Sequence, residues 1–391
     1  MALPGLAMVI FKVMVSGLLL AVTFCQAGIV DQDPARDAAM LARAGIQGQD
    51  DARARQAWQR LSAAGPAALP AVLAALKEAN PVGANWLLTA AEAIVAREFA
   101  AGRTPPRQLL ENYLHDRTNP GRARRVAFEW LTRMDPALRP QLLPKFLDDP
   151  SLELRRDAVQ QRWEEIDATI PQEDRAKRTA AYLDLIRHVR EQEQAEQLYK
   201  LIVDAGGSYD LTRHFGFITS WHVIGPFDHT GVKAFHVAYP PESTVDLAAS
   251  YEGKNGQRVS WQSVTATGTY ANVDLNQPLG KLKGVIGYAA TVVESPQEQP
   301  VEIRVGSVNA IKIFLNGELL LAHEEYHHGA HMDQYIGRGR LKAGRNTILL
   351  KVCQNEQTES YAALWGFQCR LCDATGGAVP FTLVATPTPA K

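Results

Sequence analysis

Cysteine is scarce in this chain, with four among 391 residues. The pair in Cys369-Arg370-Leu371-Cys372 has no second Cys-x-x-Cys to complete a zinc site, and no βαβ pattern surrounds it as in a thioredoxin-like redox motif. Net charge is almost absent too. Lys plus Arg is 41 and Asp plus Glu is 42, which removes the global field used to bind nucleic acid or an anionic membrane. After the N-terminus no apolar run approaches the ~20 residues that span a bilayer. There is no Gly-x-Ser-x-Gly elbow, Walker loop or Gly-x-Gly-x-x-Gly. These absences argue against the commonest hydrolase and nucleotide-binding chemistries.

The first residues have the texture of an export signal. Lys12 precedes an apolar run from Val13 to Phe24, and Cys25-Gln26-Ala27 puts small residues where a signal peptidase reads. The expectation is a signal peptide over 1–27 and a periplasmic or extracellular protein with no transmembrane span once the signal is removed. A lipid anchor on Cys25 and an uncleaved N-terminal anchor are the alternatives. Residues 28–49 are expected as a linker or leading helix.

Residues 50–205 are expected to form a helical-repeat domain. Trp86, Leu87, Ala90, Ile94 and Val95 recur at helical spacing. Asn80-Pro81, Asn119-Pro120 and Asp149-Pro150 each precede a helical stretch, at intervals of about thirty to forty residues. Pro suits the first position of a helix and not its interior. Gly206-Gly207-Ser208 then closes the helical half, and 206–216 reads as a linker. From 217 to 385 the period becomes two, the mark of strands. Asn316-Gly317 between Ile311–Leu315 and Glu318–Leu321 signals a hairpin. The end, 386–391, is expected to be disordered.

Two resemblances follow from these strings. Asp149-Pro150-Ser151-Leu152-Glu153-Leu154-Arg155-Arg156-Asp157-Ala158 resembles the inter-helix turn of HEAT repeats, while 174–204 is similar to a tetratricopeptide-like hairpin. Ile311–Gly317, Leu341–Asn346 and Trp221–Phe227 resemble the galactose-binding-like jelly roll found beside many glycoside hydrolases. The resemblance implies a helical solenoid followed by an antiparallel jelly-roll β-sandwich. It specifies fold more than function, because such domains bind glycans or simply dock.

The densest polar cluster is 323–333, with four of the ten histidines. His327, His331 and Asp333 are candidate ligands for a divalent metal, against the plainer reading of a polar loop bonding its own backbone. No other cofactor is indicated. Tyr326, Tyr335, His323 and Glu325 are candidate ligand-binding residues, aromatic rings suiting sugar faces. Trp221 and Trp365 are read as core. Gly337-Arg338-Gly339 reads as a turn. Strand alternation puts Cys353 and Cys372 outward on successive strands and Cys369 inward, so a Cys353–Cys372 disulfide is expected.

The reading that results is a non-catalytic extracytoplasmic binding or scaffold protein. Its helices would take a protein partner and its sandwich a glycan or a docking surface. A carbohydrate-active enzyme with carboxylates at the domain junction, or a metal-binding module on 323–333, remain as alternatives.

Overall fold

The computed structural model describes residues 33–45, 48 and 51–384. The expected signal peptide and C-terminal tail lie outside the described residues. The chain divides into two compact units, 1–106 and 107–391. That division falls between Pro106 and Arg107 rather than at Gly206-Gly207-Ser208.

The first unit contains helices α1 (Pro34–Ala42), α2 (Asp51–Ala64), α3 (Leu69–Ala75) and α4 (Pro81–Ala100). Asn80 and Pro81 start α4 as their chemistry dictates. Pro81 takes the first position and the Asn80 side chain accepts from Gly83 N at 2.8 Å. Leu41, Leu61, Leu69, Val72, Leu87, Ile94 and Val95 are buried in the unit's interior. Arg60 makes a two-pronged pair with the buried Asp37, at 2.6 and 2.8 Å.

The second unit opens with seven helices. They are α5 (Arg107–His115), α6 (Gly121–Met134), α7 (Leu138–Leu142), α8 (Leu152–Thr169), α9 (Arg175–Leu185), α10 (Gln192–Asp204) and α11 (Leu211–Phe215). At the two later breaks the proline lies just before its helix, and α8 is capped by Ser151. The arginine that follows each break turns inward. Arg124 donates from Nε to Leu114 O and from Nη1 and Nη2 to Asp149, with both side chains fully buried. Arg155 donates from Nε to Asp149 O. The basic stretch 117–125 is therefore partly internal.

The remaining elements are β1 (Ser220–Asp228), α12 (Pro240–Ser243), β2 (Ser250–Glu252), β3 (Arg258–Ser260), β4 (Gln262–Thr265), β5 (Val273–Asp274), α13 (Asn276–Leu279), β6 (Val285–Ser295), β7 (Gln299–Gly306), β8 (Ala310–Leu315), β9 (Glu318–His323), β10 (Tyr335–Leu341), β11 (Gly344–Gln354), β12 (Gly366–Cys372) and β13 (Thr382–Leu383). The larger antiparallel sheet runs β4-β1-β6-β11-β8-β9, with β13 also on β6; the smaller runs β10-β7-β12-β5. They face each other across one core containing Trp221, Ile303, Val305, Ile313, Leu350, Trp365 and Phe367. The β8–β9 hairpin turns at Asn316 and Gly317, both at positive φ. Gly337-Arg338-Gly339 is strand, part of β10, not a turn. Its glycines leave room for Leu320 to lie against the strand.

The outer faces of both sheets are covered. Over the larger sheet, Phe235, Val259 and Trp261 pack on Phe227, Tyr288, Phe314, Leu349 and Cys353. Lys351 is fully buried there, donating to Val237 O at 2.6 Å and to Glu242 at 2.8 Å. Burial pushes its ammonium below the usual value, with Glu242 opposing the shift. The smaller sheet carries Glu302, Arg304, Arg370 and Cys372 outward, and all four are buried. Arg370 donates to Phe215 O at the end of α11. A second cluster joins α8–α11 to Phe217 and Ala271.

This arrangement corrects the cysteine pairing. Cys353, Cys369 and Cys372 are all free and buried. The alternation is as expected, but β11 and β12 belong to different sheets, so Cys353 and Cys372 sit on opposite outer faces of the sandwich. The pairing assumed one hairpin, whereas the connection crosses from one sheet to the other. Burial raises the thiols, to about 12 for Cys353 and about 11 for Cys372.

Candidate functional site

The loop from Glu324 to Gln334 does not gather its ligand-type side chains at one point. Asp333 accepts from Arg370 Nε at 2.6 Å and Nη2 at 2.5 Å, and from Arg304 Nη1 at 2.7 Å. Burial alone would raise this carboxyl, but the two guanidinium groups hold it below its usual value. His327 bonds Asn355 Oδ1 through Nε2 at 2.7 Å, and its Nδ1 is buried without a partner. His331 is exposed. Among the described residues no group of three His, Cys, Asp or Glu side chains could hold a metal ion. The expected set His327, His331 and Asp333 is thus dispersed, because Asp333 is consumed by arginines that the sequence does not place beside it.

His323-Glu324-Glu325-Tyr326-His327 does carry the His-Glu-x-x-His spacing of zinc proteases. That chemistry needs both imidazoles on one helical face. Here His323 ends β9 and His327 lies in the loop at positive φ. The spacing therefore carries no site.

The ligand candidates separate into two small networks. His323 Nε2 meets Glu325 at 3.0 Å, and the His323 ring lies 4.9 Å from that of Tyr335. Tyr335 is buried, its hydroxyl 2.8 Å from His328 Nε2, and burial pushes the phenol up to about 12. Tyr326 points the other way and meets the buried His229 Nε2 at 2.8 Å. Ala234 N donates to His229 Nδ1, so Nε2 carries the proton and donates to the phenol oxygen. Burial, with Cys353 and Glu324 nearby, raises the Tyr326 phenol further. These bonds orient the loop and leave few groups free for a ligand.

A better-shaped site lies beside the loop. A cleft of about 310 Å³ is lined by Trp365, Phe367, Val308 and Leu364, together with polar Ser307, Asn272, Asp274 and Gln368. The 323–333 loop contributes only Ala330, and none of the four ligand candidates lines it. Its walls come from β5, the β7–β8 connection and the start of β12. Ser307 Oγ donates to Gly366 O at 2.8 Å, and Gly366 N donates to Asn309 Oδ1 at 3.0 Å, fixing the two walls together. Gly306 keeps the floor open, since a Cβ there would lie 2.8 Å from Gln368 Nε2 and 2.5 Å from His331 O. Gln368 Oε1 is buried with no partner, an acceptor that calls for a donor. Leu364 is 63% exposed and Tyr361 58%. The clue within the sequence was the Leu364-Trp365-Gly366-Phe367-Gln368 run. Alternation explains its core half, but only the fold shows that Gly366 and Gln368 border a cavity.

No family model and no curated protein matches the chain. Among solved structures it is similar to a beta-glucosidase from Kluyveromyces marxianus in complex with glucose, at 14% identity over 23% of this chain and 11% of that one, with a TM-score of 0.19. A selenomethionine form of that beta-glucosidase matches at 10% identity over 39% and 16%, TM-score 0.24. A GH31 alpha-xylosidase from Xanthomonas citri matches at 9% identity over 40% and 16%, TM-score 0.19. The chain spans 11 to 16% of the length of these proteins. No helix among the described residues is long and apolar enough to cross a membrane.

Proposed function

We propose that this is a non-catalytic, extracytoplasmic binding protein whose sandwich takes a neutral glycan in the cleft of Ser307, Trp365 and Gln368. The carrying observation is the buried, unpartnered Gln368 Oε1 in a cleft that mixes apolar walls with a few polar groups. A sugar offers both an apolar ring face and hydroxyl donors, which fits such a lining. Asp274 is the only ionisable side chain of the cleft wall, so an acidic sugar would be disfavoured. Two antiparallel sheets around one core support the galactose-binding-like reading. The inward arginines after successive breaks support a HEAT-like stack, whose open face would take a protein partner.

The test is a panel of neutral and acidic oligosaccharides against the full chain, followed by calorimetry on the best binder. Gln368→Leu and Asn272→Ala should each weaken binding while the protein stays folded. The reading fails if no neutral oligosaccharide binds, or if Gln368→Leu binds as tightly as the parent.

A further inference from the structure

A second cavity, of about 350 Å³, lies over the back of the larger sheet, between α12, the end of β8 and the first half of β11. Phe314 and Leu349 supply apolar surface, and Ser243, Thr244 and Thr347 bring hydroxyls to its walls. None of these hydroxyls has a hydrogen-bond partner among the described residues. Glu242 is the one ionisable side chain of the lining, and it is 9% exposed. Its Oε1 accepts from the Tyr288 hydroxyl at 2.5 Å and from Lys351 Nζ at 2.8 Å. Its Oε2 has no partner among the described residues. The carboxylate that borders the cavity thus has one oxygen engaged and one open. An ionised carboxylate only accepts, and a buried acceptor left unmade is costly, so the open oxygen calls for a donor.

The surrounding charge decides what kind of donor. Lys351 already answers Glu242. The buried Lys312 adds repulsion to Lys351, lies 5.0 Å from the Phe235 ring centre and pairs with no carboxylate among the described residues. Two ammonium groups therefore stand against one carboxylate, which repels a cationic ligand, while an anion would meet Glu242 itself. A neutral hydroxyl donor meets neither cost. The volume lies in the ordinary range of small-ligand sites, and apolar surface with a few polar groups is their usual lining. We propose that this cavity binds a neutral, hexose-sized polyol, the Glu242 carboxylate accepting from one ligand hydroxyl while Phe314 and Leu349 lie against the apolar ring face. It shares no residue with the Gln368 cleft and does not rest on the reading of that cleft.

The test is calorimetric titration of the full-length Gln368→Leu variant, whose first cleft lacks its open acceptor. The probes are glucose, galactose and mannose in turn, with glucosamine and gluconate as charged counterparts. Saturable one-site binding is expected for at least one hexose, tighter than for either counterpart. Glu242→Gln in the same background should weaken it at least about tenfold, the scale of one lost charge-assisted contact. Thr347→Val should weaken it about fivefold, the scale of a neutral hydrogen bond. Should Glu242→Gln fail to fold, Ser243→Trp, a change at an exposed wall residue, should abolish binding by filling the cavity. The proposal is overturned by no saturable heat with any of the three hexoses at tens of millimolar. It is equally overturned if glucosamine or gluconate binds more tightly than every hexose, or if affinity is unchanged in Glu242→Gln or in Ser243→Trp.

Discussion

The two sheets of the sandwich share a core but cover their backs with different chemistry. The larger sheet is sealed mainly by apolar contact, Phe235, Val259 and Trp261 lying over Phe227, Tyr288 and Leu349, with Lys351 held by Glu242 and the buried Lys312 lying under the Phe235 ring as its charged elements. The smaller sheet is sealed by guanidinium groups: Arg304 and Arg370 grip Asp333 and Glu302, and Arg370 reaches the last turn of α11. An apolar seal is tolerant of small shape changes, since dispersion contacts are many and individually small. A charged seal is all or none, because removing one partner strands another in low dielectric. The helices of 107–215 are therefore part of the smaller sheet's structure, whereas the cover of the larger sheet is local chain.

The sharpest break in this comparison is to remove the helical cover. A fragment beginning at Arg107 should fold with a cooperative melt. One beginning at Leu211 should aggregate or remain unfolded, since it exposes Arg304, Arg370 and the apolar Phe215, Phe217 and Ala271 together. Circular dichroism and size-exclusion chromatography of both fragments decide it.

Next in size are the charged fastenings. Arg370→Ala should cost about 3–5 kcal/mol in urea unfolding, the usual loss when a buried pair is split. Lys351→Met should cost a similar amount by stranding Glu242. The double variant Lys351→Met with Glu242→Leu should recover most of it, because the side chains packed around the pair, Phe227, Phe314 and Leu349 among them, are mostly apolar. A double variant no more stable than the single one would show that the fastening, not apolar contact, holds that cover.

The thiols give a smaller signal. All three should resist a thiol reagent in the native protein and react together on unfolding, and Cys353→Val should cost less than about 1.5 kcal/mol. A Cys353–Cys372 peptide in a non-reducing digest would mean that the two backs come together, which the sheet order forbids.

Smallest is the pH dependence of the helical cover. Burial, with Arg190 adding repulsion, pushes His214 down to about 4 from 6.5. Between those values the unfolded chain binds the extra proton, so stability should fall as pH drops from 6.5 toward 4 and be at its full value above. The carboxyl of Asp333, held low, adds its own loss only below its ordinary value of 3.8. His214→Gln should flatten the upper window alone in denaturant titrations at each pH.

Much of this fold was legible as alternation. Val301, Ile303 and Val305 against Glu302 and Arg304 mark the two faces of β7, and Asn316-Gly317 marks the β8–β9 hairpin. Facing outward, however, does not mean facing water. Nothing local in Lys351 or Arg370 announces burial, which depends on segments more than a hundred residues away in sequence, at Val237 and Phe215. The same limit governs the sites. Clustering in sequence pointed to His327, His331 and Asp333, yet Asp333 is claimed by β7 and β12. The cleft at Gln368 draws its walls from 267–274, 306–308 and 364–368, which no short window contains.

The central claim, that the helices of 107–215 and the smaller sheet form one cooperative structure, is tested most directly by native-state hydrogen exchange in low denaturant. The account predicts that the slowest amides of α10 and of β12 open with the same free energy and the same denaturant dependence. If α10 exchanges through a separate, cheaper opening while β12 stays protected, the helices are a detachable cover and the claim is wrong.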